Sequence, residues 1–512
     1  MTDTVVSTTP APPDRSPVRP ERRRRPPWFG ALLRRLHFYA GILVGPFILV
    51  AAVSGALYAL TPAIEDAVYD HELHAPVTGA TVPLDAQVTA AQEHVGDGAT
   101  ISAVRPAPEP GDTTRVLFHE DGMAFGESRA VFVDPGTGEV RGDLAASFGD
   151  GLPVRTWVAG LHSGLHLGDP GRFYSELAAS WLGIIVVAGL ALWLVRIRKT
   201  RRKADLLRPA VRAKGYKRLF SWHASVGLWV VIGALVLSAT GITWSQLAGK
   251  NVSELRTALD WQTPRMDTTL ASDDGASIDA TEDTGDTEGT VDAAASEVDA
   301  EHADHVRGTT SSPSDPAMFP FVLAAAQRAN IDSTYVEIVP PADAETAWVV
   351  SEIKRTVPTA ADAVAFDPET MLEVDRSDFA NFPISAKLAR WGTDLHMGVL
   401  FGVANQVVLF LLAVGIGALV VLGYAMWWKR RPPRGSGRVG GPAPEQGALR
   451  DAPWWGLGAV VLGAVVLGAV VLGLWLPLVG FTLVGFVVVD VVAGAVARAS
   501  RHRSDAVRHS TP

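Results

Sequence analysis

The chain has 512 residues, 48% of them hydrophobic, a formal net charge of −9 and no cysteine. Without cysteine there can be no disulfide, no thiolate iron–sulfur site, no Cys-x-x-Cys redox pair and no Cys-x-x-Cys-His attachment of c-type haem. The apolar residues are not spread evenly but gather in runs of about 20, long enough to cross a hydrocarbon core of roughly 30 Å. The expected class is therefore an α-helical integral membrane protein with sizeable polar segments between the spans.

Residues 1–29 are rich in Pro, Arg, Ser and Thr and read as a disordered basic tail ending in Arg22 to Arg25. The apolar run within 30–60 is too long for a signal-peptide core and is expected to be a retained first span. Further spans are expected within 157–195, at 223–244, within 391–428, and as a hairpin over 454–498. Basic clusters lie before the first span, in 196–222 (RIRKTRRK through KGYKR), in 429–453 (KRRPPRGSGR) and near 499–512 (RASRHR). Lys and Arg accumulate on the cytoplasmic side. All four clusters agree with six spans in the cytoplasmic membrane and both termini inside.

Two polar segments then face outward. Residues 61–156 contain a helical pattern, LDAQVTAAQEHV, followed by the alternating runs TISAVRPA, RVLFHE and RAVFVD. Residues 317–390 repeat that order with MFPFVLAAAQRA, TYVEIVP, AWVVSEI and DAVAFD. Each set finishes at a turn built on Asp134-Pro135 or Asp367-Pro368. Both are expected to be small α+β domains. Residues 245–316 between them read as an acidic, disordered linker, and His302 and His305 beside its acids either as solvated side chains, the favoured reading, or as weak cation ligands.

The chain is internally repeated. His37 is followed by Gly41 and by Ser54-Gly55; His223 is followed at the same spacings by Gly227 and Thr240-Gly241. Trp157, Leu161, His162, Gly164, Gly189 and Trp193 align without a gap on Trp391, Leu395, His396, Gly398, Gly423 and Trp427. The fold expected is a duplicated four-helix bundle plus a C-terminal two-helix hairpin. His37 and His223 begin spans at the inner face, whereas His162 and His396 precede spans at the outer face. The repeat thus generates two histidine pairs, each with one member from either half. Two imidazoles on opposite sides of a porphyrin form a bis-histidine b-type haem, so two haems, one near each face, are expected, with His166 as an alternative ligand or a contact to a propionate or substrate. The glycines within a turn of each histidine, Gly41, Gly227, Gly164 and Gly398, would let a flat macrocycle approach. Arg34, Arg35 and Arg218 inside, and Arg172 and Arg390 outside, are candidate propionate partners.

Other chemistry finds less footing. No carboxylate cluster accompanies the histidines as a zinc or non-haem iron site would require, and no catalytic triad, phosphate loop or dinucleotide fingerprint is present. Reducing equivalents would come from a cytoplasmic partner or a quinol pool; no nucleic-acid partner is expected. Gly458, Gly463, Gly468 and Gly473 recur every five residues, a period that keeps no single helix face. Asp490 within VVVDVV is either a functional acid in the membrane or a hydrated one at its edge.

The stretches LHSGLHLGDPGRFYSELAASW leading to LWLVR, SWHASVGLW leading to ATGITWS, and LHMGVLFGVANQ leading to MWWKRRP resemble the PepSY-associated transmembrane helix family, also described as iron-regulated membrane proteins. The resemblance runs over about residues 30–435 and makes the two outward segments PepSY-like. It implies a role in iron acquisition, with relatives that look like di-haem reductases of ferric siderophores, the bilayer and a ferric chelate being the partners. Its carry-over to His37, His162, His223 and His396 is by position, while His166 stands where relatives often have an aliphatic residue. Two other readings stay open: a binding or regulatory module whose PepSY-like domains take a peptide, protease or envelope partner, and a siderophore or metal transporter built on the repeat.

Overall fold

The computed structural model describes residues 28–123, 126–147, 151–198, 207–270, 315–431, 456–489 and 492. Asp490, His302 and His305 lie outside these. The chain is mostly helical, with one β-sheet region. Its first half runs α1 (Trp28–Leu43), α2 (Gly45–Tyr58), α3 (Thr61–Val68), α4 (Asp70–Leu73), α5 (Leu84–Val95), β1 (Ala99–Arg105), β2 (Thr114–Glu120), β3 (Glu127–Val133), β4 (Val140–Ser147), α6 (Pro153–Gly164) and α7 (Asp169–Ile197). The second runs α8 (Gly215–Thr243), α9 (Gln246–Ala258), α10 (Met318–Arg328), β5 (Val336–Val339), β6 (Trp348–Glu352), β7 (Ala363–Phe366), β8 (Glu373–Ser377), α11 (Ile384–His396) and α12 (Val403–Lys429). Two apolar helices follow, α13 (Gly456–Trp475) and α14 (Pro477–Val489).

Among the described residues, α7, α8 and α12 are long and apolar enough to cross a membrane, and α1 with α2 makes a fourth span if the bent pair counts as one. Helices satisfy every backbone group internally, which hydrocarbon requires. Side chains such as Val187, Trp229, Ile232 and Leu411 are exposed, as expected of a face that meets lipid rather than water. The expected first span is not one helix. It bends by 60° between Leu43 and Gly45. Pro46 has no N–H to give to the carbonyl four residues back, and the Tyr424 hydroxyl donates to that freed Ile42 carbonyl instead. The second half has Ile232 at the matching place, and α8 runs unbroken.

Among the described residues, the Gly463–Trp475 part of α13 and α14 are shorter apolar helices, and most of 490–498 lies outside the described residues. Helices α13 and α14 lie against α1, α7 and α9. The Trp181 indole donates to Thr482 Oγ1 at 2.9 Å, Tyr39 and Phe486 rings are 5.5 Å apart, and Asn251 Nδ2 donates to the Trp475 carbonyl at 2.9 Å.

The polar segments depart from the expected pair of separate domains. Their strands form one antiparallel sheet ordered β4-β3-β2-β1-β5-β6-β7-β8. Two meanders of four strands meet at β1 and β5, where Val104 faces Ile338 and Arg105 pairs with Glu337 at 2.6 Å. Helices α5 and α10 pack on one face through Val88, Ala91, Phe319 and Val322 against Phe118 and Ile338. A fully buried aromatic or aliphatic side chain contributes roughly 1.5–3 kcal/mol, so neither meander could leave that face bare. The opposite face, with Leu117, Phe132 and Val349, packs on Tyr69 and Leu73 beside the first span. The expected linker is also partly ordered: it includes α9, and residues 268–270 bond alongside the start of β6. Its remainder, 271–314, lies outside the described residues. The buried carboxylate of Glu176 accepts from Leu247 and Ala248 N–H at 3.0 and 3.2 Å, satisfying donors that the first turn of α9 cannot bond itself.

Candidate paired-histidine site

The helices bring the four histidines together in two pairs. His37 and His223 have ring centroids 6.2 Å apart with planes at 80°; His162 and His396 are 6.4 Å apart at 61°. Along α8, His223 and Thr240 are seventeen residues apart, a rise of about 25 Å, and Thr240 touches His396. The pairs are thus separated by most of a hydrocarbon core.

Each imidazole has its Nδ1 held. His37 Nδ1 lies 3.0 Å from the Ile185 carbonyl and His223 Nδ1 lies 3.1 Å from the Leu419 carbonyl. A carbonyl only accepts, so each Nδ1 carries the proton. In the other pair the partners are hydroxyls: Ser54 Oγ is 3.0 Å from His162 Nδ1, and Thr240 Oγ1 is 2.6 Å from His396 Nδ1. Those hydroxyls already donate to main-chain carbonyls one turn back, Ser54 to Val50 at 2.8 Å and Thr240 to Val236 at 2.8 Å. Their oxygens therefore accept from the imidazoles. All four rings are held with hydrogen on Nδ1 and a lone pair on Nε2, the tautomer a metal ligand needs.

The partners repeat as strictly as the histidines. His37 to His223 and Ser54 to Thr240 are one offset, 186 residues; His162 to His396, Ile185 to Leu419 and Gly189 to Gly423 are another, 234. A side chain added at Gly55 or Gly189 would meet Cε1 of His162 at 3.3 Å or of His37 at 3.0 Å; at Gly241 and Gly423 it would stand 3.8 Å from His396 Cε1 and 4.0 Å from His223 Cε1. Small residues at the four positions let a helix backbone back each ring.

A metal ion bonded at about 2.0 Å to one nitrogen of each of two opposed imidazoles holds their centroids about 6 Å apart. Both pairs have that spacing. Among the described residues no group of three or more His, Cys, Asp or Glu could hold a metal ion. Each pair therefore offers two donors, and any metal between them must bring its other ligands along.

Other expected residues have different places. The helix carrying His162 stops at Gly164, and Leu165 and His166 both adopt φ of 55°. His166 is exposed, its ring lying 5.2 Å from Trp157 and against Gly160, so it does not continue the helix one turn beyond His162. Nothing stands within 4 Å of a side chain built on Gly41. A side chain on Gly164 would meet nothing closer than 3.8 Å, and it is Gly171 that must be small to pass the Gly164 carbonyl; Gly398 has a φ of 75°. Arg34 and Arg218 are exposed; Arg35 is buried near Tyr39; Arg172 donates to the Trp244 carbonyl at 3.3 Å; Arg390 donates to the Ala360 carbonyl at 3.4 Å and lies near Asp394. Trp244, whose ring is 5.1 Å from His396, was not singled out by the sequence. Ser54 and Thr240 were visible as matched positions, though nothing in their spacing announced their partners.

No curated protein matches the chain. The family model for the PepSY-associated TM region matches residues 34–430, an interval that contains all four histidines, both hydroxyl partners and the whole described sheet. The chain is a membrane protein of the PepSY-associated class and belongs to that family.

Proposed function

We propose that the chain holds two b-type haems, one on His37 and His223 and one on His162 and His396, and carries electrons across the cytoplasmic membrane to a ferric chelate such as a ferric siderophore. The observation that carries this reading is the pair of imidazoles with ring centroids 6.2 or 6.4 Å apart, met twice, with every Nδ1 engaged. A porphyrin supplies the four donors that each pair lacks, and its iron supplies one-electron chemistry at that point. The chain's own residues do the rest. The Ile185 and Leu419 carbonyls and the Ser54 and Thr240 hydroxyls orient the imidazoles and raise their basicity. The apolar walls of α2, α7, α8 and α12 exclude water.

The positive-inside pattern puts both termini and the His37–His223 pair on the cytoplasmic side, with the sheet outside. One electron taken from a cytoplasmic donor or a quinol, passed outward, converts chelated Fe(III) to Fe(II), which oxygen donors hold less tightly. The duplication supports the reading, since it yields two sites at two depths from one ancestral unit.

The test is an absorption spectrum of the detergent-solubilised protein, oxidised and after dithionite. A Soret band with sharpened α and β bands on reduction is expected, at two haems per chain. His223→Ala should remove the inner haem alone and His162→Ala the outer alone. A haem-free protein purified from haem-replete cells, or four histidines that all tolerate alanine without spectral change, would end the proposal.

A further inference from the structure

The two members of the outer pair are held differently at the helix ends that carry them. Asp394, two residues before His396, is 2% exposed. Arg355, from the loop between β6 and β7, gives its carboxylate Nε at 2.8 Å and Nη2 at 2.6 Å, and the same Nη2 lies 3.7 Å from Met397 Sδ. One guanidinium thus touches the residues on both sides of Leu395-His396. The Asp394 carbonyl in turn accepts from Val399 and Leu400 N–H at 3.0 and 3.1 Å and faces Asn405 Nδ2 at 3.4 Å. More of that loop seats on the same turn: Thr356 O takes the Phe401 N–H at 3.1 Å, and Pro358 O takes the Trp391 indole at 2.8 Å.

The first half keeps the main-chain bonds, with Leu165 and His166 N–H on the Gly160 carbonyl, but the side chains that brace the turn are missing at the matching places. Gly160 stands where Asp394 does, Thr156 where Arg390 does, and Gly171 where Asn405 does. Its tie to the sheet lies at the far end of α6, where Ser147 Oγ meets Thr156 Oγ1 at 2.6 Å, six residues before His162.

We propose that Arg355 and Asp394 are positioning residues through which the outward sheet sets the place of His396 at its own turn, whereas the sheet reaches the His162 helix only at its opposite end. This rests on the haem reading for its consequence and on the geometry alone for the coupling. A ligand or partner that moves the β6–β7 loop would then act on one ligand of the outer iron.

The variant to make is Arg355→Met with Asp394→Asn in the full chain, because removing one charge alone would leave the other member of this pair a buried ion without its partner. Hydrogen exchange at the Val399 and Leu400 amides is expected to accelerate roughly ten-fold, while Leu165 and His166, their register partners in the first half, keep wild-type rates. The low-spin electron paramagnetic resonance signal that His162→Ala removes should shift or broaden, and the one that His223→Ala removes should not. Wild-type exchange at Val399 and Leu400, or a wild-type outer signal, overturns the positioning role. If the protein proves haem-free, the haem reading falls by itself, and the exchange rates still decide the coupling.

Discussion

The two halves agree at the histidines and differ almost everywhere else that supports them. Ser54 and Thr240 accept from His162 and His396, and the Ile185 and Leu419 carbonyls accept from His37 and His223. Beyond that set the solutions diverge. The first half breaks its opening span at Pro46 and uses Tyr424 from the other half to satisfy the exposed carbonyl; the second half runs straight through α8. The first half closes its outer turn by bringing Gly171 onto Gly164, the second by Asn405 Nδ2 on the Leu395 carbonyl at 3.0 Å and by the Arg355 strut. What both halves keep is what fixes an imidazole's tautomer and backs its ring. What they vary is how the backbone is held behind it, and several packings can do that.

The sharpest way to break the comparison is to exchange the outer turns. A side chain at Gly171 would begin 1.8 Å from the Gly164 carbonyl oxygen, a clash with backbone that no rotamer relieves. Gly171→Asn is expected to cost more than about 4 kcal/mol, read as loss of the folded fraction in detergent. Asn405→Gly removes only side-chain hydrogen bonds, at roughly 1–2 kcal/mol, seen as a lower thermal midpoint. Equal effects would mean the turns are built alike after all.

Next in size are the hydroxyls. Ser54→Ala and Thr240→Val each leave one outer Nδ1–H without its acceptor, and loss of such a partner typically weakens metal affinity about 10–100-fold. On the proposed haem reading, titration of the His162–His396 site should register both to a similar extent, with the His37–His223 site, whose acceptors are main chain, unmoved. A large effect in one half only would show that the repeat no longer does the same work twice.

The smallest effect concerns the junction of the first span with the sheet. His74 places Nε2 3.0 Å from Asp66 and Nδ1 3.6 Å from Asp112. The hydrogen bond to Asp66 raises its pKa above the ordinary histidine value, against a lowering by burial, with the charges of Asp66, Asp112 and Asp70 adding to the rise. Its contribution is complete below about pH 6.5 and is lost as pH rises through the raised value. Because the group is largely exposed, the whole effect is at most about 1 kcal/mol. The stability difference between wild type and His74→Gln should shrink on going from pH 5.5 to 8.5; a difference independent of pH removes the ionic clamp. In the second half the corresponding bridge, Thr269 with Thr346, contains no histidine.

Much of this was legible in one dimension. Apolar runs mark α7, α8 and α12, because hydrocarbon selects composition residue by residue. Helix α5 coincides with the periodic stretch Leu84–Val95, since only that period buries Val88 and Ala91 together. The register of the repeat pairs His37 with His223 and His162 with His396, because helices entering from one side bring equal positions to equal depth. Tertiary structure alone decided the rest. Main-chain carbonyls at Ile185 and Leu419 have no side-chain signature. Arg105 and Glu337 join the sheet across 232 residues of sequence, and an edge-to-edge strand pairing leaves no pattern in either strand. The end of the helix before His166, and the grip of Arg355 on the turn at His396, depend on which backbone comes near which, and only the folded chain sets that.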